Sequence, residues 1–288
     1  MELNADFSQR VAVHAARLPW LASPIAGVDR RMLDRIGDEV ARATSIVRYA
    51  PASRFSAHTH GGGEEFVVLD GVFQDEHGDY PAGSYVRNPP TSRHTPRSAP
   101  GCLLFVKLWQ FDLQDRTPVR LNAQALAYTY AQGRPGVEIA LLFNDSREQV
   151  RMERWAPNTS VALDLPDGGE FLVLEGDFDE GGEHFVLQSW LRLPPQGRLD
   201  ATAGRDGCRL WVKTGHLQHI QVPPRTEEWR TRLSRGALRA LRASSLGSTL
   251  LLKVIPQGLE PARASRCSTR TAILPRPCCC KRRETGAT

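Results

Sequence analysis

The chain has 288 residues, 41% hydrophobic and 24% charged, a balance that gives a core to bury and excludes global disorder. No run of 18 apolar residues occurs, which excludes a membrane-spanning helix. The opening MELNADFSQR has no basic segment leading into an apolar run, so a cytoplasmic protein is expected. The net charge of +5 is uneven: residues 222–288 hold 14 basic and 4 acidic side chains, whereas the other 221 residues hold 23 and 28. The basic character belongs to the tail, and nucleic acid is not an expected partner of the body.

In chain order, residues 1–24 form an N-terminal segment in which Ser8–Leu18 has the best helical periodicity of the body. An internal repeat follows. Residues 51–73, PASRFSAHTHGGGEEFVVLDGVF, answer residues 157–178, PNTSVALDLPDGGEFLVLEGDF, with Gly71 and Gly176 aligned 105 apart. Gly83–Pro90 answers Gln188–Pro195, and Gly101-Cys-Leu-Leu-Phe-Val-Lys107 answers Gly207-Cys-Arg-Leu-Trp-Val-Lys213. Within each copy, short Val-, Leu-, Phe- and Trp-rich runs separated by Gly, Pro and Asp predict strands, and many short strands predict a sandwich or barrel per copy. The Asp70-Gly71 and Glu175-Gly176 pairs suit tight hairpin turns. The domains expected are a barrel over 25–118, a second over 125–221 and a basic, disordered tail over 222–288. Within the tail, Glu227–Leu246 suggests a basic helix and residues 247–255 a strand.

Chemistry concentrates in the first copy. His58 and His60 lie two apart, so on a strand they share one face. Glu64 and Glu65 follow a triple-glycine turn, and His94 follows Pro89-Pro90. Three imidazoles and one carboxylate suit a divalent ion of borderline softness: Zn or Fe foremost, with Mn, Co or Ni as alternatives. A lone His-x-His pair is a weak signal; the ordered set gives it weight.

That set resembles the cupin superfamily. Its first motif, G(X)5HxH(X)3–4E(X)6G, is met by His58, His60, Glu64 and Gly71, with Ala52 in place of the first glycine. Its second, G(X)5PxGxxH(X)3N, is met by Gly83, Pro89 and His94, with Thr91 and Ser98 departing from it. The run from His58 through Gln110 is similar to the ChrR-type cupins, including members with two barrels. The resemblance implies an all-β fold of two tandem cupin (double-stranded β-helix, or jelly-roll) barrels and a metal on His58, His60, Glu64 and His94. ChrR itself is a zinc anti-sigma factor, but its amino-terminal HxxxCxxC signature is missing here, so that role is not implied. Some relatives are non-haem metal oxygenases of small ketones or diketones. The expected function is that of a mononuclear metal enzyme, such as a dioxygenase, on a small-molecule substrate. The alternative is a metal-bearing sensor or regulatory module that binds a small ligand. A homodimer is compatible with either.

Glu64, and not Glu65, keeps the six-residue gap to Gly71, so Glu65 is expected to be an outward, solvated side chain. In the second copy Leu163, Leu165, Gly169 and Leu199 stand at the four ligand positions, which predicts a barrel without metal. Only Glu170 survives, opposite Glu65, so the acid at that position is expected to serve the fold. Cys102 and Cys208 are equivalent and read as core. His77 and His184 read as solvated turn residues. His216 and His219 have no carboxylate at ligand spacing.

Overall fold

Apolar residues dominate Glu64–Phe73, and the chain there extends into a 12-residue strand, Glu64–Asp75, on which the first barrel is built. A computed structural model of the chain describes residues 1–38 and 40–223. The tail elements expected over 227–255 lie outside the described residues.

Glu64–Asp75 is flanked antiparallel by Ser84–Asn88 and by Cys102–Leu108. Cys102–Leu108 continues to Ala41–Tyr49, and that strand pairs with Val28–Gly37. The second barrel repeats this order: Gly169–Glu180 lies between Ser189–Leu193 and the long strand Gly197–Thr214, which continues to Gln149–Trp155 and Val137–Asn144. Among the described residues there is no α-helix, only short 3-10 turns.

The two acidic-glycine pairs are not hairpin turns. The chain runs straight through them, and the first hairpin closes later, where Asp75 pairs with Gly78. Gly71 has φ +70, and a Cβ there would lie 2.1 Å from the Gly101 carbonyl oxygen. Gly176 repeats this with φ +67 and 2.0 Å to the Gly207 oxygen. Each glycine therefore marks an irregularity inside one strand, beside a register shift, where the strand passes from one set of partners to another.

The N-terminal segment also departs from expectation. Val11–His14 is a strand, followed by a 3-10 turn over Ala15–Arg17. It pairs with Ser189–Leu193 of the second barrel. Its counterpart, Val119–Asn122 followed by a 3-10 turn over Ala123–Ala125, pairs with Ser84–Asn88 of the first barrel. The repeat therefore begins earlier than the sequence match, and each copy lends its leading strand to the other barrel. Pairing with a strand far along the chain overrides the weak local helical tendency.

Apolar side chains gather into three clusters. One fills the first barrel around Phe66, Phe73, Val86 and Leu104. One fills the second around Leu165, Phe171, Leu199 and Val212. The third lies between the barrels and joins Phe105 and Tyr85 to Trp190 and Trp211.

Candidate metal centre

His58 and His94 are direct cross-strand partners in a short ladder, His58–Thr59 against Arg93–His94. Leu163 and Leu199 are cross-strand partners in the same way. Leu165 and Leu199 are buried in the second barrel's core, and Leu163 packs against that core. Apolar carbon thus occupies in one copy the positions that imidazoles hold in the other.

The triple-glycine turn delivers His60 beside this pair. A Cβ on Gly62 would lie 2.1 Å from the Trp109 ring, and one on Gly63 would lie 2.4 Å from Phe111. Two aromatic rings lie directly on this backbone, which is why side chains are excluded from it. The three imidazole centroids are 4.7–4.9 Å apart, and one ring nitrogen from each lies within 4.8 Å of the others.

Glu64 lies beside two of the three imidazoles. Its Oε2 lies 3.5 Å from His60 Nε2 and 3.6 Å from His94 Nε2. Ligands about 2.1 Å from a shared tetrahedral ion would sit roughly 3.4 Å apart, so these separations suit one. Both Nε2 atoms are buried and lack a hydrogen-bond partner, a costly arrangement unless something else fills the space between them. In two of the three imidazoles the other ring nitrogen has a partner. His58 Nδ1 donates to the Ser56 carbonyl at 3.2 Å, and His94 Nδ1 donates to Asp75 Oδ2 at 3.3 Å. Each bond leaves the Nε2 lone pair free to ligate. Asn88 Nδ2 donates to Glu64 Oε2 at 3.1 Å. The residues present therefore fit a divalent ion. His58 is exposed, which leaves one side of the cluster open to the outside.

Burial alone would raise the Glu64 carboxyl, but the imidazoles of His60 and His94 and the bond from Asn88 outweigh it and hold it below the usual range. Burial depresses His60. Burial works the same way on His94, but the Asp75 bond and the Glu64 charge overcome it and raise that imidazole.

Asp75 is missing from the expected site, and it is only 2% exposed. Besides His94, its Oδ1 accepts from the His77 amide at 2.7 Å and the Tyr80 hydroxyl at 3.3 Å. Tyr80 in turn accepts from Arg120, on the strand lent by the second copy.

Glu65 does face away from the barrel interior, as strand alternation requires, but it is not solvated. It is 1% exposed because the second barrel covers it. Its carboxylate accepts from Tyr85 at 2.7 Å and Lys213 at 2.6 Å, and Lys213 and Arg87 overcome the cost of burial to pull its pKa down to about 2. His216 departs from expectation too: it is buried, with Nε2 2.8 Å from Glu170. His77 and His184 are exposed, and Cys102 and Cys208 are buried free thiols.

Imidazoles and a carboxylate gathered inside an all-β jelly-roll barrel define the cupin class. Residues 8–112 match the family model of the ChrR cupin-like domain, so this stretch of the chain is similar to that family. No curated protein matches the sequence. Among solved structures, a candidate dioxygenase from Nostoc punctiforme PCC 73102 is similar at 16% identity and TM-score 0.60, over 75% of this chain and 86% of that one. YlbA of Escherichia coli, from the DUF861 family, is similar at 11% identity and TM-score 0.57, over 75% and 94%. The pirin YhhW of Escherichia coli, solved with nickel(II), is similar at 14% identity and TM-score 0.52, over 72% and 99%. At these identities the likeness is one of fold. Among the described residues no helix is long and apolar enough to cross a membrane.

Proposed function

We propose that the first barrel holds one divalent metal ion on His58, His60, His94 and Glu64, and that the protein is a metal-dependent enzyme of the oxygenase kind acting on a small molecule. The observation that carries this reading is the pair of buried, unpartnered Nε2 atoms aimed at one Glu64 oxygen. Iron or zinc suits the donor set best; manganese, cobalt and nickel are the alternatives. Such an ion supplies Lewis acidity and, if redox-active, a place for dioxygen. The chain's own residues do the rest. Asp75 keeps the His94 proton on Nδ1, Asn88 steadies the Glu64 carboxylate, and the open side at His58 admits substrate. The nickel complex of YhhW and the Nostoc punctiforme dioxygenase candidate are consistent with this chemistry. The second barrel, with leucines at the equivalent positions, carries no ion in this reading. The domain division is the one the repeat suggests, 25–118 and 125–221, with one strand exchanged each way. The free thiols Cys102 and Cys208 suit the reducing cytoplasm.

Elemental analysis of protein purified without added metal, beside oxygen uptake with small diketones, tests the reading. One equivalent of metal per chain and substrate-dependent uptake are expected. Two equivalents, or none after incubation with each metal in turn, would overturn it. One equivalent without turnover would move the assignment to a metal-bearing binding module.

A further inference from the structure

The strands that carry the Glu64 carboxylate and its hydrogen-bond partner are held from behind by the other barrel. Asn88 pairs in register with Glu64, and Arg87 pairs with Glu65. On the inner face Asn88 bonds Glu64. On the outer face, Lys213 of the second barrel lies 2.6 Å from Glu65 and 2.9 Å from Glu148, and Arg87 lies 2.5 Å from Glu148 and 3.9 Å from Glu65. Lys213, Glu65 and Arg87 are each no more than 1% exposed. This clamp has a mirror image. Lys107 lies 2.5 Å from Glu170, which also accepts from Trp190, the counterpart of Tyr85. In the mirror, however, the inner-face neighbours are Gly169 and Leu193, which have no carboxylate to hold.

Buried ion pairs seldom add stability over apolar residues of the same shape, so stability alone is a weak account of four buried charges. What they do provide is a fixed distance and orientation between two elements. We propose that Lys213 and Glu148 are positioning residues for the metal centre: by gripping Glu65 and Arg87 they fix the two strands that aim Glu64 and Asn88. The inference rests on the metal reading above. It makes the second barrel, which lacks the ligands, a working part of the site in the first.

Cobalt(II) titration of the full-length protein, read by visible absorption, tests it, with the melting temperature recorded for each variant. Lys213→Met, one contact further out than a group bonded directly to a ligand, is expected to weaken cobalt binding by about three- to tenfold, below the roughly 10–100-fold lost with direct partners of ligands, and to shift the visible bands. Lys107→Met removes an equally buried lysine from the mirror clamp. It is expected to lower the melting temperature comparably while keeping cobalt affinity within about twofold of wild type. Glu148→Gln, which keeps the Lys213–Glu65 pair, is expected to weaken binding in the same direction by less, and it decides the matter if Lys213→Met does not fold. Wild-type affinity and spectrum in the Lys213 and Glu148 variants would overturn the inference, as would an equal loss in Lys107→Met. Absence of cobalt binding by the wild type would instead overturn the metal reading itself.

Discussion

Replacing Asp75 with asparagine changes the proton position on His94 while disturbing little else. Asp75 Oδ1 accepts from the His77 amide and the Tyr80 hydroxyl, and an asparagine carbonyl can accept both. Oδ2, 3.3 Å from His94 Nδ1, becomes an NH2 group that only donates. Nδ1 must then accept, so the imidazole proton moves to Nε2, the atom that faces Glu64 at 3.6 Å. A protonated Nε2 cannot ligate. Restoring the ligating tautomer sets two donors against each other in a buried site, which costs about 1–3 kcal/mol. That range agrees with the roughly 10–100-fold, or about 1.4–2.7 kcal/mol, lost when outer partners of metal-bound histidines are removed. Competition titration of zinc against a chromophoric chelator reads this directly, with thermal melting of the metal-free protein as control. The pH dependence adds a second readout. Burial would lower His94, but Asp75 and Glu64 outweigh it and raise the imidazole, so in the wild type protons begin to compete with metal at a higher pH than for an ordinary histidine. In the variant that onset moves to lower pH. Unchanged affinity and an unchanged pH profile would refute the reasoning.

Glu64→Gln removes the charge that both buried Nε2 atoms face, and should lower metal affinity by more than Asp75→Asn in the same titration. Gly62→Ala places a methyl group 2.1 Å from the Trp109 ring; overpacking of this kind costs about 1–3 kcal/mol, seen as a drop of several degrees in melting temperature. Leu199→Ala opens a cavity at a fully buried position of the second barrel and should cost about 2–5 kcal/mol in denaturant unfolding, with one equivalent of metal retained.

The elements legible in the sequence were those written twice. Aligning the copies put Leu163 and Leu199 opposite His58 and His94, and the structure pairs both couples across the same strands. The direction of Glu65, outward, followed from alternation along the strand. Its burial did not, because the cover comes from Lys213 and the second barrel, 148 residues away. Asp75 was hidden for a related reason. It lies 19 residues before His94, and only the folding-back of the hairpin brings the two together. The Asp70-Gly71 pair has the composition of a turn but sits inside a continuous strand, and local residue type does not distinguish the two. The strand at Val11–His14 carried a usable signal in the alternation of Val11 and Val13, but its partner is about 175 residues away and no local reading could name it.

The exchange of leading strands gives the chain a property that neither barrel has alone. If the link between residues 112 and 119 were cut, the first fragment would keep Val11–His14, which belongs on the second barrel, and would lack Val119–Asn122, which closes its own sheet beside Ser84–Asn88. Arg120, which supports Tyr80 and through it Asp75 and His94, would leave with the other piece. The two halves are interlocked like clasped hands, each holding a finger of the other. A chain without the leucine-filled copy and its leading strand would have an unpaired sheet edge beside Ser84–Asn88 and a histidine cluster without its Arg120 support, so topology ties the second copy to the site in the first.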